Sequence, residues 1–413
     1  MTKTRKAKTM KSKIKNPINK NTRKSLIAKG LTIKWLPNNT PKEIDAISQK
    51  IKETLSVSAS AKKSYSPSIN KELVTIKSMS RDELLECNNQ KAFNLKEPLK
   101  INVGNKCYAY SDPVAKAFLL KNLAANKHIN ADKIITPKQS LSNCWFNTMF
   151  VSLFVSNKGR KFFHFFRSLM IEGQNARKES IPQSLKNGFA LLNYAIEACL
   201  TGNEYAYNMD TNAIIDSIYK AIPKEYKDTL PYMTPTKQAG NPIRYYGSIM
   251  YYLNDQTIDM YFLSSANNNW NKMLNEKLNI NANNTNNTNN TNNTNNTNNT
   301  NKYPHIIVLE FFDAESKITT NKPTKFKLGN AKYQLDSAVI RDRDGNHFSS
   351  LLTCEKKEMA YDGMSFHRLV NMDWKNRINT NYSWRFEGSK DAEGKPVEWN
   401  FLSAYQMLIY YRV

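Results

Sequence analysis

Gln139-Ser-Leu-Ser-Asn-Cys144-Trp-Phe-Asn-Thr-Met-Phe150 is the segment that decides the fold of this chain. A cysteine stands there directly before an apolar, aromatic run, which predicts a helix that begins at about Trp145. Much later in the chain come His347 and then Asp362. A cysteine, a histidine and an acid in that order are the groups that nucleophilic thiol chemistry requires.

The position of this cysteine suits a nucleophile. A thiol reacts as the thiolate, and the pKa of a free cysteine, roughly 8.5, falls by several units at a helix N-terminus beside a charged histidine. The unbonded backbone N–H groups of a first helical turn also point toward any oxyanion that forms there. A second oxyanion donor must come from elsewhere, and the side-chain amide of Gln139 is close enough in sequence to Cys144 to supply it.

Hydrophobic patterning near the C-terminus indicates how the histidine and the acid meet. It predicts strands at residues 337–341, 348–354 and 358–362, with turns at 344–346 and 355–357. A hairpin centred between Cys354 and Glu355 would place His347 and Asp362 directly opposite each other, with Cβ atoms roughly 4.5–5.5 Å apart. A slip of one residue in the turn would make the two residues diagonal neighbours.

Three separated motifs carry a resemblance to a known family. Residues 139–154 resemble the Cys box of the ubiquitin-specific proteases, which are papain-like deubiquitinases. Residues 346–348, followed by Tyr361-Asp362, resemble the His box of that family, and residues 403–412 resemble its closing strand. The matches come in the family's order and span residues 139–413.

The resemblance implies both a fold and an activity. The fold would be α+β and papain-like, with a helical half that carries the cysteine, followed by an antiparallel sheet half that carries the histidine and the acid. Cys144 would be the nucleophile, His347 the base, Asp362 the group that orients the base, and Gln139 the oxyanion donor. The activity would be that of a deubiquitinase-like isopeptidase, which removes ubiquitin or a ubiquitin-like modifier from proteins.

This chain departs from the family pattern at three places. The family has Gly-Asn-Thr directly before its cysteine, and here the residues are Leu141-Ser142-Asn143. The oxyanion position is usually Asn and here is Gln139, as in papain itself. A Gly normally precedes the histidine, where this chain has Asn346. These departures bear on the choice of modifier more than on the thiol chemistry.

Other readings of the same residues stay open. His367 is the main rival base, and His128, His164 and His305 are the remaining histidines, while Asp344 and Asp373 are rival acids. A SUMO-protease-like order would need a cysteine after the histidine, and an ovarian-tumour-type deubiquitinase would need Asp-Gly before Asn-Cys. A different class of function is a catalytically inactive descendant of the fold that acts as a basic nucleic-acid-binding or virion structural protein.

Charge and composition predict how the 413 residues are organised. Lys and Arg number 60 against 35 acidic residues, and residues 1–35 hold twelve Lys and Arg with no acid. Such a segment predicts a disordered tail that could bind nucleic acid or an anionic surface. Residues 36–100 would form a helix plus linker, and 101–413 the catalytic domain. The Asn-Asn-Thr repeat at 281–301 predicts a disordered insertion, typical of an AT-rich genome such as that of a protist or a large DNA virus.

Cysteine usage and hydropathy bear on compartment and cofactors. The five cysteines are scattered and form no Cys-x-x-Cys pair, so we expect no structural zinc, no other cofactor and a reducing compartment. No apolar run approaches the roughly 20 residues of a membrane span, and no apolar signal segment follows the basic start. We therefore expect an intracellular protein of the cytoplasm, the nucleus or a virion.

Overall fold

The computed structural model describes residues 34–35, 87, 89–125, 129–175, 178–230, 232–255, 257–264, 266–278, 303–312, 321–345 and 347–413. Nearly all of the predicted basic tail, most of the predicted helix and linker at 36–100, and the Asn-Thr repeat lie outside these residues; of the segment 36–100, residues 87 and 89–100 are described. His128 and Asn346 also lie outside the described residues. In the part that is described, helices come first and strands dominate later, so the fold is α+β.

The helical half spans residues 89–277. Its helices are α1 (Asn89–Phe93), α2 (Pro113–Ala125), α3 (Cys144–Phe150), α4 (Asn157–Phe162), α5 (His164–Glu172), α6 (Gln183–Thr201), α7 (Tyr205–Asn208), α8 (Thr211–Ala221), α9 (Lys224–Lys227), α10 (Pro242–Tyr252) and α11 (Trp270–Lys277). A 3₁₀ turn covers Ala131–Lys133, and a π-helical turn, Val151–Val155, continues α3.

The helix predicted from about Trp145 begins at Cys144, and with its π-helical turn it ends at Val155. Ser156 adopts an extended conformation after the π-helical turn, and its hydroxyl accepts a hydrogen bond from the Gly159 N–H at 3.1 Å. This is an N-cap, so a new helix, α4, starts there. The chain folds back closely at this point, and a Cβ atom at residue 159 would lie only 2.6 Å from the Leu153 carbonyl oxygen. The position therefore requires glycine.

The strands form one large mixed sheet and two small hairpins in the described chain. They are β1 (Lys34–Trp35), β2 (Lys100–Val103), β3 (Lys106–Ala109), β4 (Met260–Ser264), β5 (Ile306–Phe311), β6 (Lys325–Leu328), β7 (Ala331–Arg341), β8 (Phe348–Cys354), β9 (Lys357–Tyr361), β10 (Val370–Asn371), β11 (Ser383–Trp384), β12 (Trp399–Asn400) and β13 (Gln406–Arg412). The large sheet has the order β1-β4-β5-β13-β7-β8-β9-β10, with β6 beside β7. The prediction of an antiparallel sheet is correct from β5 to β10, whereas β1, β4 and β5 pair in parallel.

Alternating side chains of the sheet build two separate cores. On β13, Met407 and Ile409 face the helices, and Leu408 and Tyr410 face the opposite side, because successive residues of a strand point to opposite faces. The helices cover the first face, and α11 with the loops around β10–β12 covers the second. The site described below lies at the contact between the helical half and this sheet.

A buried ion pair joins α10 to the centre of the sheet. Arg244 Nε lies 3.2 Å from Glu310 Oε1, and a second guanidinium nitrogen contacts Glu310 Oε2. Ser264 donates to the same carboxylate at 2.7 Å, and the Tyr405 hydroxyl also bonds to it. Burial raises the pKa of Glu310, but the Arg244 charge and the hydrogen bonds from Arg244, Tyr405 and Ser264 together outweigh it and hold that pKa below its usual range.

A disulfide bond pairs Cys87 with Cys107, whose Cα atoms lie 5.8 Å apart. The cysteines are separated by 20 positions in sequence and meet because the β2–β3 hairpin folds back toward α1. Disulfide bonds are typical of oxidising compartments, so this pair does not agree with the reducing compartment expected from the scattered cysteines. Among the described residues, no helix is long and apolar enough to span a membrane.

The Arg244–Glu310 pair makes a stability prediction. Arg244→Met should lower the free energy of unfolding by about 3–5 kcal/mol, because it leaves a buried carboxylate without its cation. Arg343→Met is the matched control, since Arg343 pairs with Glu398 at the surface and should cost less than about 1 kcal/mol. Denaturant unfolding measures both, and similar losses in the two variants would contradict the prediction.

Candidate active site

Cys144 is the first residue of α3 and is largely buried. The residue before it, Asn143, ties the loop to its surroundings. Its side-chain oxygen accepts from the Ser140 N–H at 3.0 Å, and its amide donates to the Thr211 hydroxyl at 2.9 Å. Thr211 in turn donates to Asn147 Oδ1 at 2.7 Å, one turn into α3. The residues on both sides of Cys144 are therefore fixed to the N-terminus of α8.

The same helix end holds the start of the loop. The Asn212 amide donates to the Ser140 hydroxyl at 2.9 Å, and that hydroxyl contacts Asp210 at 3.2 Å. Asp210 also accepts from the Asn212 N–H at 3.0 Å and so caps α8. The capping of α8 and the placement of the loop before Cys144 thus use the same side chains.

Gln139 lies where the loop meets the sheet half. Its backbone N–H donates to the Gly363 carbonyl at 2.9 Å, and Gly363 directly follows Asp362. The Tyr361 hydroxyl donates to the Pro137 carbonyl at 2.7 Å. The side-chain Oε1 of Gln139 is buried and has no hydrogen-bond partner among the described residues. The structure therefore brings Gln139 next to the acid-bearing end of the β8–β9 hairpin.

His347 directly precedes β8, and both its backbone and its ring are held by hydrogen bonds. Its backbone N–H donates to Asp342 Oδ1 at 2.6 Å, and its carbonyl accepts from the Asp342 N–H at 2.8 Å. Its ring Nε2 lies 2.5 Å from Asp362 Oδ1. Both side chains are buried, at 3% and 0% exposure for the two residues. The pairing of this histidine with this acid is the geometry that the sequence motifs predict.

The hairpin register differs from the predicted one by a single turn position. Cys354 pairs with Lys357 and Ser350 with Tyr361, so the hairpin is centred between Glu355 and Lys356. His347 and Asp362 are therefore diagonal neighbours beyond the strand ends, which is the arrangement expected for a one-residue slip. Their side chains still meet because long side chains reach diagonal positions in a sheet.

Electrostatics favour the charged form of this pair. Burial alone lowers the pKa of His347, but the Asp362 charge and hydrogen bond, together with a contact from the Cys144 thiol, raise it to about 10. Burial likewise raises the pKa of Asp362, but the His347 charge and hydrogen bond, together with hydrogen bonds from Ser365 and the Met364 N–H, lower it below its usual value. Because Nε2 faces Asp362, Nδ1 is the ring nitrogen that lies outside this pair.

Several positioning groups were missed in the sequence. Asp342 fixes the His347 backbone, and the Trp399 ring lies 5.6 Å from the His347 ring. Arg343 and Arg385 both bind Glu398, at 2.7 and 2.8 Å, and so hold the strand that carries Trp399. The short sequence separation between Asp342 and His347 could have indicated the role of Asp342. Nothing in the local sequence marks Trp399, Arg343 or Arg385.

The loop also holds a leucine in a conformation that suits glycine. Leu141 has a φ of 55°, and 62% of the residue is exposed. The left-handed region costs an L-residue roughly 1–2 kcal/mol because its Cβ approaches the following carbonyl. Leu141 stands at the position where the family resemblance expects glycine. The backbone there is in the left-handed region that favours glycine, so the leucine adds strain at this position.

The rival residues lie elsewhere. His367 is buried against Tyr207, with ring centroids 6.0 Å apart, and burial lowers its pKa to about 4. His305 Nδ1 accepts from the Asp259 N–H at 3.0 Å, and His164 begins α5. Asp373 accepts from Asn376 at 3.0 Å on the surface, and Asp344 occupies the turn between β7 and β8. Neither acid contacts His347 in the described structure.

No group of His, Cys, Asp and Glu residues suited to a metal ion occurs in the described ranges.

No protein-family model matches the chain, and no curated protein matches it either. Among solved structures, the chain is similar to a SAGA DUB module, Ubp8/Sgf11/Sus1/Sgf73, bound to monoubiquitin. That match has 10% identity and a TM-score of 0.38, and it covers 86% of this chain and 96% of the other.

Two further structures show similar values. Another Ubp8/Sgf11/Sus1/Sgf73 module matches at 11% identity and a TM-score of 0.35, covering 86% of this chain and 95% of the other. An essential yeast splicing factor matches at 8% identity and a TM-score of 0.29, covering 78% and 74%. At these identities and TM-scores the likeness carries no argument about function, which therefore depends on the site itself.

The raised pKa of His347 predicts a pH dependence of stability. The charged ring stabilises the fold fully below its unfolded pKa of roughly 6.5, and this contribution is lost as pH rises toward the folded value of about 10. The free energy of unfolding of the parent should therefore fall relative to that of His347→Gln across this window, by at most about 1.4 kcal/mol per pH unit.

The comparison between parent and variant is needed because another group titrates in the same range. Burial lowers the pKa of Lys322 to about 7, so that residue makes the fold more stable as pH rises from 7. Urea unfolding of both proteins between pH 6 and 10 cancels this shared effect. Parallel curves for parent and variant would contradict the assignment of a raised pKa to His347.

Proposed function

We propose that this protein is a cysteine-type isopeptidase of the deubiquitinase kind, which releases ubiquitin or a ubiquitin-like modifier from proteins. The observation that carries the proposal is the pairing of His347 with Asp362 beside Cys144 at the N-terminus of α3. A helix start, a charged histidine and a buried acid are the environment that generates a thiolate at neutral pH. The resemblance of residues 139–154 and 346–362 to the ubiquitin-specific proteases selects ubiquitin as the first modifier to test.

Each residue has a role in the proposed reaction. The Cys144 sulfur attacks the carbonyl carbon of the isopeptide bond after His347 accepts the thiol proton, and the carbonyl oxygen becomes an oxyanion. Backbone N–H groups at the start of α3 and the Gln139 amide stabilise that oxyanion. His347 then gives its proton to the leaving lysine amine, and a thioester on Cys144 remains. Water, deprotonated by His347, hydrolyses the thioester and restores the thiol.

Asp362 acts on the histidine and not on the substrate. It holds the ring with Nε2 turned away from the sulfur, which leaves Nδ1 for proton exchange, and it stabilises the imidazolium that forms. Its complete burial excludes water from this hydrogen bond, so its orienting effect is stronger than at a surface.

A ubiquitin probe with a C-terminal electrophile tests the nucleophile. The parent should form a covalent adduct with the probe, and Cys144→Ala should form none. Cys199→Ala is the matched control, because Cys199 is buried in α6, and this variant should react like the parent. Intact mass spectrometry with peptide mapping locates the adduct. Labelling of a different cysteine, or equal labelling of Cys144→Ala, would remove Cys144 from the mechanism.

A pair of histidine variants tests the base. His347→Gln should lower kcat for hydrolysis of a ubiquitin-derived fluorogenic substrate by roughly 10²–10⁴-fold, because no group then accepts the thiol proton. His367→Gln, which changes a buried histidine outside the pair, should retain most of the activity. Asp362→Asn should fall between the two, since it removes the charge partner and leaves the ring in place. A severe loss in His367→Gln with a mild loss in His347→Gln would reverse the assignment.

The basic tail stays a separate proposal. Residues 1–35 are proposed to bind nucleic acid or an anionic surface, on the strength of twelve Lys and Arg with no acid. In the non-enzymatic alternative, a basic nucleic-acid-binding descendant of the fold, the tail binds nucleic acid and the site catalyses no reaction. The ubiquitin probe separates the two proposals, because an inactive descendant would bind nucleic acid through the tail without forming an adduct.

A further inference from the structure

Asn147 is a fully buried amide one helical turn after the proposed nucleophile. Residues three apart on a helix lie on the same side of it, so Asn147 is a neighbour of Cys144 on α3. Its backbone N–H donates to the Asn143 carbonyl at 3.0 Å, in the first turn of that helix. A fully buried polar side chain destabilises a fold unless it is hydrogen-bonded, so its partners indicate what it does.

The partners of this amide lie on three different segments of the chain. Its Nδ2 donates to the Lys138 carbonyl at 3.2 Å, and its Oδ1 accepts from the Thr211 hydroxyl at 2.7 Å. Burial raises the pKa of Tyr361 well above its usual value, and a hydrogen bond with the Asn147 side chain acts in the opposite direction. One side chain thus joins α3 to the loop that precedes it, to α8 and to the end of β9.

Two of these three segments lead to the acid-bearing end of the β8–β9 hairpin. The residue after Lys138 donates its N–H at 2.9 Å to the carbonyl of Gly363, which follows Asp362. Tyr361 is the last residue of β9 and directly precedes Asp362. Asn147 therefore ties the helix that carries the thiol to the strand end that carries the acid, and the acid holds the histidine.

We propose that Asn147 is a positioning residue, which sets the place of the Cys144 thiol relative to the His347–Asp362 pair. Burial lowers the pKa of His347, whereas Asp362 and a contact from the Cys144 thiol raise it, so the thiol and the imidazole are neighbours. Asn147 acts on this contact through α3 and the preceding loop. The inference rests on the proposed function for the identity of the nucleophile and the base, and it requires no particular modifier.

The pH dependence of Cys144 alkylation measures this placement. Iodoacetamide reacts with the thiolate, and a cysteine that is not paired with a charged histidine is mostly protonated at about pH 6.5. Asn147→Ala should therefore slow labelling of Cys144 by roughly tenfold or more at about pH 6.5, and by less than about twofold at about pH 9.5, where an unpaired thiol is ionised. Mass spectrometry with peptide mapping separates Cys144 from the other free cysteines of the described chain.

Asn193→Ala is the matched control. Asn193 is also a fully buried asparagine within a helix, and its side-chain oxygen accepts from Arg167 Nε at 2.9 Å. Both alanine variants should melt several degrees lower than the parent, because each leaves a buried hydrogen-bonding partner unsatisfied. Only Asn147→Ala should change the pH profile of labelling, which a purely structural loss does not move.

Further variants test the route by which Asn147 acts, and they do not depend on the folding of Asn147→Ala alone. Thr211→Val removes the hydroxyl that bonds to Asn147 and should shift the pH profile in the same direction. Thr211→Ser keeps that hydroxyl and should retain most of the labelling at about pH 6.5. In the His347→Gln background, Asn147→Ala should have little further effect, because the group against which the thiol is placed is already gone.

The parent's pH profile in Asn147→Ala, or an equal shift in Asn193→Ala, would overturn the inference. So would a fall in labelling of the same size at both pH values, because it would mean that access to the thiol had changed. An effect that persists in full in the His347→Gln background would place the action of Asn147 outside the Cys144–His347 contact. If the parent and its variants give the expected profiles but the parent forms no adduct with the ubiquitin probe, the proposed modifier is wrong and the role of Asn147 is supported.

Discussion

The hydrogen bonds between the segment before Cys144 and the segment after Asp362 are the constraint on which the rest of this structure depends. Thr136 donates to the His367 carbonyl at 2.8 Å, and Gln139 donates to the Gly363 carbonyl at 2.9 Å. These bonds join the helical half to the sheet half next to Cys144 and the His347–Asp362 pair. Backbone atoms make these hydrogen bonds, so the path of the chain aligns the two halves. Side-chain contacts then add to this alignment. Burial of the segment, with Ile134, Ile135 and Thr136 fully inside, shields these bonds from competing water.

Two of the buried ion pairs among the described residues differ in what they can do. Arg244 and Glu310 both lie almost fully buried, and the pair is surrounded by hydroxyl groups that satisfy the remaining lone pairs. A guanidinium does not give up its proton at any physiological pH, so this pair is a permanent joint between α10 and the sheet. His347 and Asp362 are equally buried, but an imidazole can exchange its proton. Within one chain, the choice of cation separates a structural pair from one that could take part in a reaction.

The sequence predicted the α+β order, the start of α3 to within one residue and the pairing of His347 with Asp362, because apolar periodicity and turn residues are local signals. It missed the hairpin register by one turn position. The actual turn consists of Glu355 and Lys356, with φ values of 47° and 67°, whereas such turns are usually marked by Asn-Gly. Contacts from distant residues compensate here, since Asn157 accepts from the Glu355 N–H at 2.8 Å and Arg160 pairs with the Glu355 carboxylate. The left-handed conformation of Leu141 and the Cys87–Cys107 disulfide escaped the sequence for the same reason, because each is imposed by parts of the chain that lie far away.

That two-residue turn has a consequence for how the chain can evolve. His347 and Asp362 stand one step beyond the two ends of a ladder that is closed at its far end by Glu355 and Lys356. An insertion or deletion in the turn would shift the register, and each shift of one residue carries a side chain to the opposite face of the sheet. The residues of the turn can therefore change, towards Asn-Gly for instance, whereas the number of residues in the turn cannot. Among related chains, loops elsewhere should drift in length while the fourteen residues between this histidine and this acid keep their number.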